Sequence, residues 1–458
     1  MEILIKILQF ILSFSLLVFI HEFGHFIFAR MFGVRVEKFY LFFNPWFSLF
    51  KFNWKGTEWG MGWIPLGGYC KISGMVDESM DVEQMKLPAK DDEFRAKKPW
   101  QRLLIMIGGV MMNVILAIFI YIGMSYAWGD KYLANDDVRY GYVFNETGKK
   151  LGFENGDKIY SIAGKRVDNI ADIHKNILLE GETEVIVLRH DHTGHASDCA
   201  GVELDPVAIN IDGSLTKELI QQKKPFLEPR SLFEIQDIVE NGNAAVAGIL
   251  KDDRLTHING NQVRYADEAK AIFNENKGGS VTIRTLRIYG VETPSMQDVE
   301  VKVSDEGTIG VILTPFISTM PIHTQKYTFF QAIPAGIKRT GSEISSYWKQ
   351  IKMIFSPKTE AYKSLGGMIA IGNIFPSYWS WETFWSITAF LSIILAVMNI
   401  LPIPALDGGH VLFLIAEIIM GRAPSDKFLE YAQRVGMILL FALLIYANGN
   451  DIYRFIIK

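Results

Sequence analysis

The stretch VFIHEFGHFIFAR, residues 18–30, places His21, Glu22 and His25 in an otherwise apolar segment. Residues four apart on a helix lie on the same face, so the two imidazoles project together and Glu22 points in a neighbouring direction. H-E-x-x-H is the pattern in which two histidines bind Zn²⁺ and a glutamate takes a proton from water. The alternative is a pair of interfacial histidines with a snorkelling glutamate, but ionisable groups in an apolar span are costly without a compensating partner.

A catalytic zinc takes three protein ligands and leaves one position open. The best candidate for the third ligand is Asp407, in NILPIPALDGGHVLFLIAEI (residues 399–418), which is another acid in an apolar segment. His410 is the next candidate. Asp407 also has an alternative role as the N-cap of the helix that resumes near residue 409.

The backbone around Asp407 is expected to leave the helical conformation. Pro402 and Pro404 remove two backbone donors, and Gly408 and Gly409 permit a tight turn. Non-helical backbone at membrane depth is tolerated only where it is enclosed by protein or lines a watery cavity. The motif therefore predicts a helix broken around a site.

Hydropathy predicts four membrane spans, and a bilayer core requires roughly 20 apolar residues for a helix to cross it. With 49% hydrophobic residues in a chain of 458, a membrane protein is favoured over a soluble one. The spans run over about 3–32, 102–128, 383–406 and 435–448. A cleaved signal peptide is rejected for the first span, because no small-residue cleavage site follows a short apolar core.

Charge predicts the orientation of these spans. Basic residues outnumber acidic ones between residues 30 and 102, and the cluster RAKKPWQR (95–102) precedes the second span, so this loop is expected in the cytoplasm. The segment 130–325 is net acidic and is expected outside, as are both termini, because the number of spans is even. Nothing in the chain is basic enough to indicate nucleic-acid binding.

The external segment contains an internal repeat. LGFENGDKIYSIAGKRV (151–167) and AGILKDDRLTHINGNQV (247–263) align without a gap at an offset of 96 residues. Alternating apolar residues and a turn glycine predict a hairpin in each copy. The copies resemble PDZ domains, which present a sheet edge to an extended peptide. The alternative is a repeat that serves only as a rigid spacer or steric gate.

HEFGH in a first span, tandem PDZ-like repeats and N-x-x-P-x-P-x-L-D-G in a third span together resemble the site-2 protease family, the M50 zinc intramembrane metalloproteases. More specifically, the motifs resemble those of the regulator-of-sigma-E protease subgroup of bacteria, and the resemblance covers essentially the whole chain. It implies an α-helical integral membrane protein with four transmembrane helices, a membrane-reentrant β-hairpin, and two extracytoplasmic PDZ domains of β-rich α+β type.

The resemblance also implies roles for individual residues. His21, His25 and Asp407 match the residues that bind zinc in that family, and Glu22 matches its catalytic base. Zn²⁺ is therefore the expected cofactor.

Other parts of the resemblance concern the substrate. Asn399 matches a residue near the substrate, and Pro402 of the same motif is expected to contribute to substrate binding. GTEWGMGWIPLGGYCKISG (56–74) resembles the membrane-reentrant hairpin, whose exposed edge would hold the substrate as an added strand. The alternative for its residues Trp59 and Trp63 is a role as ordinary interfacial anchors.

The chain is accordingly divided by sequence into eight segments. An amphipathic helix is expected over residues 327–355, where apolar residues recur at near-helical spacing. The segments are 1–34 (first span with HExxH), 35–100 (cytoplasmic and reentrant region), 101–129 (second span), 130–222 and 223–322 (the two PDZ-like domains), 323–381 (amphipathic and juxtamembrane helices), 382–421 (third span with LDG) and 422–458 (fourth span and C-terminus).

The expected function is zinc-dependent intramembrane proteolysis. The expected partners are the lipid bilayer, single-span membrane proteins such as anti-sigma factors or remnant signal peptides, and a site-1 protease that cuts them first. The expected location is the bacterial inner membrane. The alternatives are a membrane-anchored PDZ scaffold for peptide termini without catalysis, and a metalloprotease that cleaves at the cytosolic membrane surface.

Overall fold

The computed structural model describes residues 2–75, 88–179, 184–190, 204–211, 225–251, 253–287, 295–356, 362 and 365–453. They form two compact units. The helical unit comprises residues 1–130 and 325–458, and the repeat unit comprises residues 131–324.

The helical unit contains the membrane-spanning part of the chain. Its α-helices are α1 (Glu2–Met31), α2 (Pro99–Ala127), α3 (Phe329–Phe355), α4 (Met368–Asn373), α5 (Trp381–Asn399), α6 (Asp407–Met420) and α7 (Asp426–Ile452), with a 3₁₀ turn at Phe94–Ala96. Helices α1, α2, α5 and α7 are long and apolar enough to cross a bilayer. The described residues thus contain four candidate spans, the number predicted from hydropathy.

Helix α2 is the central helix of this unit, because it packs against α1, α3, α5 and α6. It begins at Pro99, a residue whose missing N–H costs nothing in the first turn. Its approach to α1 depends on small residues: a Cβ on Gly24 of α1 would lie 2.2 Å from the carbonyl oxygen of Gly108. Such glycine pairs let two membrane helices bring their backbones together.

The segment 382–421, which was predicted to hold the third span, contains two helices. Helix α5 ends at Asn399, residues 400–406 form a loop, and α6 begins at Asp407. Leu406 is the N-cap of α6, so the alternative of Asp407 as N-cap is wrong, because Asp407 already has helical backbone. A Cβ on Gly408 would lie 2.2 Å from the carbonyl oxygen of Leu401, so the loop folds back on the start of α6.

A four-stranded sheet follows α1. Its strands are β1 (Val36–Phe43), β2 (Phe50–Trp54), β3 (Thr57–Met61) and β4 (Ile64–Ile72), in the order β2-β3-β1-β4. Strand β3 runs parallel to β1, and β4 runs antiparallel to β1.

The prediction of a hairpin over residues 56–74 is therefore wrong in its pairing, since β1 lies between β3 and β4. The chain crosses the end of β1 at Gly62, whose N–H donates to the carbonyl of Leu41. A Cβ on Gly62 would lie 2.1 Å from the carbonyl oxygen of Phe43, so the crossing requires glycine.

The repeat unit contains two copies of one arrangement. In the first, the sheet order is Leu204–Asn210, Glu184–His190, Lys158–Ile162, Lys165–Arg166. In the second, it is Ser295–Lys302, Ser280–Arg287, Arg254–Ile258, Asn261–Gln262. The smaller sheets pair Tyr142–Phe144 with Leu227–Pro229 and Ile235–Ile238 with Val311–Leu313.

Short helices complete the two copies. They are Glu146–Lys150, Ile170–His174 with a π-helical turn at Lys175–Leu179, Asn243–Val246, Ala266–Glu275 and Phe316–Thr319. A 3₁₀ turn covers Asn135–Asp137, and short strands at Asp130–Tyr132 and His323–Gln325 stand near the ends of the unit.

The two copies share a buried ion pair that the sequence alignment does not reveal. Arg189 binds Asp157 at 2.7 Å and also donates to the carbonyl oxygen of Gly152. In the second copy, Arg287 binds Asp253 at 2.8 Å and donates to the carbonyl oxygen of Gly248, the glycine that is equivalent to Gly152. Since the arginines are 98 residues apart and the aspartates 96, a gap-free alignment misses the equivalence.

The boundary between the copies differs from the sequence division at 222/223. Phe226 and Leu227 pack in the core of the first copy, and Leu227–Pro229 pairs with its strand Tyr142–Phe144. Residues 225–229 therefore belong to the first copy. They supply the last strand of that copy, which pairs with its early strand Tyr142–Phe144.

Candidate metal centre

Three side chains from distant parts of the sequence meet inside the helical unit. Among the described residues, His21, His25 and Asp407 form a group whose ligand atoms all lie within 4.8 Å of one another. His21 Nε2 and His25 Nε2 lie 3.2 and 3.4 Å from Asp407 Oδ2, and 3.4 Å from each other. Both histidines are buried, and their rings are nearly perpendicular.

The arrangement of these atoms fits a metal ion better than a hydrogen-bonded cluster. Asp407 Oδ2 is buried and has no partner with hydrogen-bond geometry, although two imidazole nitrogens are close to it. The three atoms thus converge on a common point. A tetrahedral zinc with ligand distances of about 2.0–2.1 Å requires ligand atoms about 3.3–3.4 Å apart. The observed separations of 3.2, 3.4 and 3.4 Å meet that requirement.

The second nitrogen of His25 has a partner that fixes the state of the ring. His25 Nδ1 lies 2.9 Å from the backbone carbonyl oxygen of Ile105 in α2. Because a carbonyl only accepts, Nδ1 carries the hydrogen, and the lone pair of Nε2 faces the cluster. Outer hydrogen bonds of this kind hold metal-binding histidines in orientation.

Glu22 lies beside the cluster and under strand β4. The backbone N–H of Cys70 donates a hydrogen bond to its carboxylate. A Cβ on Gly68 would lie 3.6 Å from Glu22 Cγ, so the strand passes directly over this side chain. Glu22 is therefore placed between the cluster and an edge strand.

Helix α2 supplies the residues that sequence reasoning missed. A Cβ on Gly109 would lie 2.5 Å from His25 Nε2 and 2.7 Å from His21 Cε1. Asn113, one turn later, has its Nδ2 3.2 Å from His21 Nδ1. Two adjacent glycines and a lone asparagine in an apolar helix were a usable signal, since both residue types concentrate at helix contacts in membranes.

The remaining candidate residues fall into two groups. Asn399 lies at the site, with Nδ2 3.4 Å from His21 Nε2. Pro402 is exposed in the loop that follows α5. Among the described residues, it has no contact with the two histidines. His410 does not belong to the three-residue group that the described residues form. Among the two candidates for a third ligand, Asp407 is the one that the fold brings to the histidines.

Comparison with known proteins relates the whole chain to one family. The model for peptidase family M50 matches residues 9–443. A Neisseria meningitidis protein and a Campylobacter jejuni protein, both with zinc metalloprotease in their names, are each 28% identical to the chain. The first covers 98% of this chain and 99% of its own length, and the second covers 99% and 94%. The regulator of sigma E protease of Haemophilus influenzae is 27% identical, covering 97% and 98%.

Proposed function

The chain belongs to peptidase family M50 and is a membrane-bound zinc metalloprotease; from this premise we propose that it hydrolyses peptide bonds inside the transmembrane segments of single-span membrane proteins. The observation that carries the proposal is the position of the cluster. Two of its side chains come from α1, a helix that is able to cross a bilayer, and the third comes from the start of α6, just after the loop that follows the candidate span α5. A site in this position would act on a bond at membrane depth.

His21, His25 and Asp407 are the residues that would hold the zinc, a set of three protein ligands as catalytic zinc sites use. When bound, zinc acts as a Lewis acid that polarises the peptide carbonyl and lowers the pKa of water to about 7. Two neutral imidazoles and one carboxylate would leave a net positive charge on the occupied site beside Glu22.

Glu22 is the proposed base and acid. Its carboxylate takes one proton from the water whose oxygen bonds to the carbonyl carbon. The C–N bond then breaks, and the same proton passes from Glu22 to the departing nitrogen, so one water is consumed per bond. The Cys70 N–H holds one side of the carboxylate and so fixes its direction.

Strand β4 is the proposed support for the substrate. It is an edge strand whose partner in the sheet is β1, and it packs against α1 above Glu22. A transmembrane helix hides its carbonyls in hydrogen bonds, so hydrolysis requires an unwound segment, and an edge strand binds such a segment by adding it to the sheet. Asn399, beside His21, is the proposed contact to the substrate backbone, and Pro402 keeps the adjoining loop out of the helical form.

The two repeats are the proposed PDZ domains, placed on the extracytoplasmic side of the bacterial inner membrane together with both termini. Their net acidic sequence and the basic segment before α2 support this orientation. They would restrict access to substrates already shortened by a site-1 protease, either by size or by binding a new peptide end. Anti-sigma factors are candidate substrates by analogy with the Haemophilus relative's name; remnant signal peptides are a second class.

The test is cleavage-product mass for wild type and Glu22→Gln on a single-span substrate in detergent or liposomes. We expect wild type to cut within the apolar segment, and Glu22→Gln to keep its zinc but yield no product. A cut outside the apolar segment would support cleavage at the membrane surface instead. Equal function of the Glu22→Gln protein would support the scaffold without catalysis.

A further inference from the structure

We propose that Asn113 is the positioning residue for His21, with its amide oxygen accepting the Nδ1–H of that histidine so that Nε2 is presented to the metal. The inference rests on the proposed zinc site and adds to it a residue from a third helix. It concerns the orientation and proton position of one ligand, and not a group that touches the reacting atoms.

The first observation is the environment of the Asn113 side chain. The residue is fully buried in α2, and its amide nitrogen lies 3.2 Å from His21 Nδ1. Its amide oxygen is also buried and has no hydrogen-bond partner. Buried amide groups are nearly always hydrogen-bonded, so an unpartnered oxygen next to an imidazole nitrogen indicates a function for the pair.

The second observation is the matched treatment of the other histidine. His25 gives its Nδ1–H to the carbonyl of Ile105, which can only accept. Ile105 and Asn113 lie eight residues apart on α2, about two helical turns, and so face the same side of the helix. One helix therefore supplies the outer partner of both imidazoles.

The orientation of the amide follows from the chemistry of the ligand. Metal binding through His21 Nε2 requires the hydrogen on Nδ1, and this hydrogen needs an acceptor. A half-turn of the amide exchanges its oxygen and nitrogen with little change in shape, and it places the unpartnered oxygen against Nδ1. In the opposite orientation the amide donates to Nδ1 and the hydrogen must sit on Nε2, where the metal would be.

The backbone of Asn113 is held independently of its side chain. The buried hydroxyl of Ser392 in α5 donates to the Asn113 carbonyl oxygen at 2.8 Å. One turn earlier, Gly109 packs directly against both imidazoles. Side-chain replacements at Asn113 should therefore change the contact with His21 without moving α2, and Ser392→Ala offers a control that alters the backbone contact alone.

The experiment measures zinc affinity of the full-length protein in detergent by competition with a chelator, using zinc alone as the probe. Asn113→Leu keeps the volume but removes the acceptor, and we expect a loss of about 10- to 100-fold, the range for outer partners of metal ligands. Asn113→Asp keeps an acceptor, and Ser392→Ala keeps the side chain, so both should bind within about threefold of wild type or tighter.

Two results would overturn the inference: a folded Asn113→Leu protein with wild-type affinity, or an Asn113→Asp protein that binds at least tenfold more weakly. The second decides the matter if Asn113→Leu does not fold. His21→Ala separates this inference from the proposed function. If His21→Ala loses zinc while Asn113→Leu keeps it, the positioning role alone fails; if His21→Ala keeps zinc, the metal site itself is wrong.

Discussion

Gly109→Ala is the substitution that tests the packing of α2 against the metal centre. In most apolar helices, replacing glycine by alanine is favourable by up to about 1 kcal/mol. At position 109, however, the added methyl carbon would lie 2.5 Å from His25 Nε2, 2.7 Å from His21 Cε1 and 2.9 Å from His21 Nδ1. Gly123 in the same helix has nothing within 4 Å and serves as the matched control.

The expected magnitude follows from these distances. Ordinary contact begins at 3.4 Å, so His25 Nε2 or the α2 backbone must move by 3.4 − 2.5 = 0.9 Å. Zinc sites tolerate deviations of about 0.2 Å in ligand distance, so a shift of this size disturbs the ligand geometry, whether it occurs at the imidazole or at the α2 backbone that holds His25 through the Ile105 carbonyl. We expect zinc affinity to fall by at least about 100-fold, about 2.7 kcal/mol, while Gly123→Ala binds like wild type and unfolds at an equal or higher temperature.

The assay is chelator competition for zinc on both purified variants, with thermal unfolding recorded alongside. A folded Gly109→Ala protein with wild-type zinc affinity would refute the reasoning, because it would mean that the ligand nitrogens do not lie against this glycine. A loss of affinity in Gly123→Ala of the same size would also refute it, since the effect would then belong to glycine replacement in α2 generally.

Two further predictions concern buried charges. Arg102 of α2 pairs with Glu417 of α6, and both side chains are largely buried. Arg102→Met leaves the carboxylate unpaired and should therefore destabilise the protein by about 3–5 kcal/mol. The double variant with Glu417→Met should recover most of this stability in thermal unfolding, and no recovery would contradict the pairing. In the repeat unit, burial alone would raise the pKa of the Asp253 carboxyl, but hydrogen bonds from Arg287 and the Leu250 N–H outweigh it and lower the pKa below its ordinary value of 3.8. The ionised Asp253 carboxylate therefore stabilises the fold fully above its unfolded-state pKa, and this stabilisation is lost as the pH falls through the lower folded-state pKa. Arg287→Met should remove this part of the pH dependence of stability, as measured by circular dichroism of unfolding between about pH 5 and pH 2.

The parts of the fold that sequence predicted are those with a local cause. Apolar length alone marks α1, α2, α5 and α7 as spans. The spacing of His21 and His25 on a helix fixes their common face, and the prolines and glycines around Asp407 fix a helix break. Each of these inferences uses residues within about one or two turns of each other.

The parts that sequence did not predict depend on contacts between distant segments. The pairing of β1 with both β3 and β4 arises where Gly62 crosses the end of β1 at Phe43, 19 residues earlier. The alternation of apolar and polar residues does not predict this crossing. The partners of His25 and His21, which are Ile105 and Asn113, are set by the approach of α1 to α2 at Gly24. A backbone carbonyl has no side-chain signature, so the role of Ile105 was invisible in the sequence.

The claim that the rest depends on is that one zinc ion is bound by His21, His25 and Asp407. X-ray absorption at the zinc edge of the purified protein tests it directly. We expect only nitrogen and oxygen neighbours at about 2.0–2.1 Å, two of them imidazoles, with one imidazole lost in His21→Ala. A sulfur neighbour at about 2.3 Å, or a spectrum unchanged by Asp407→Ala, would contradict the account.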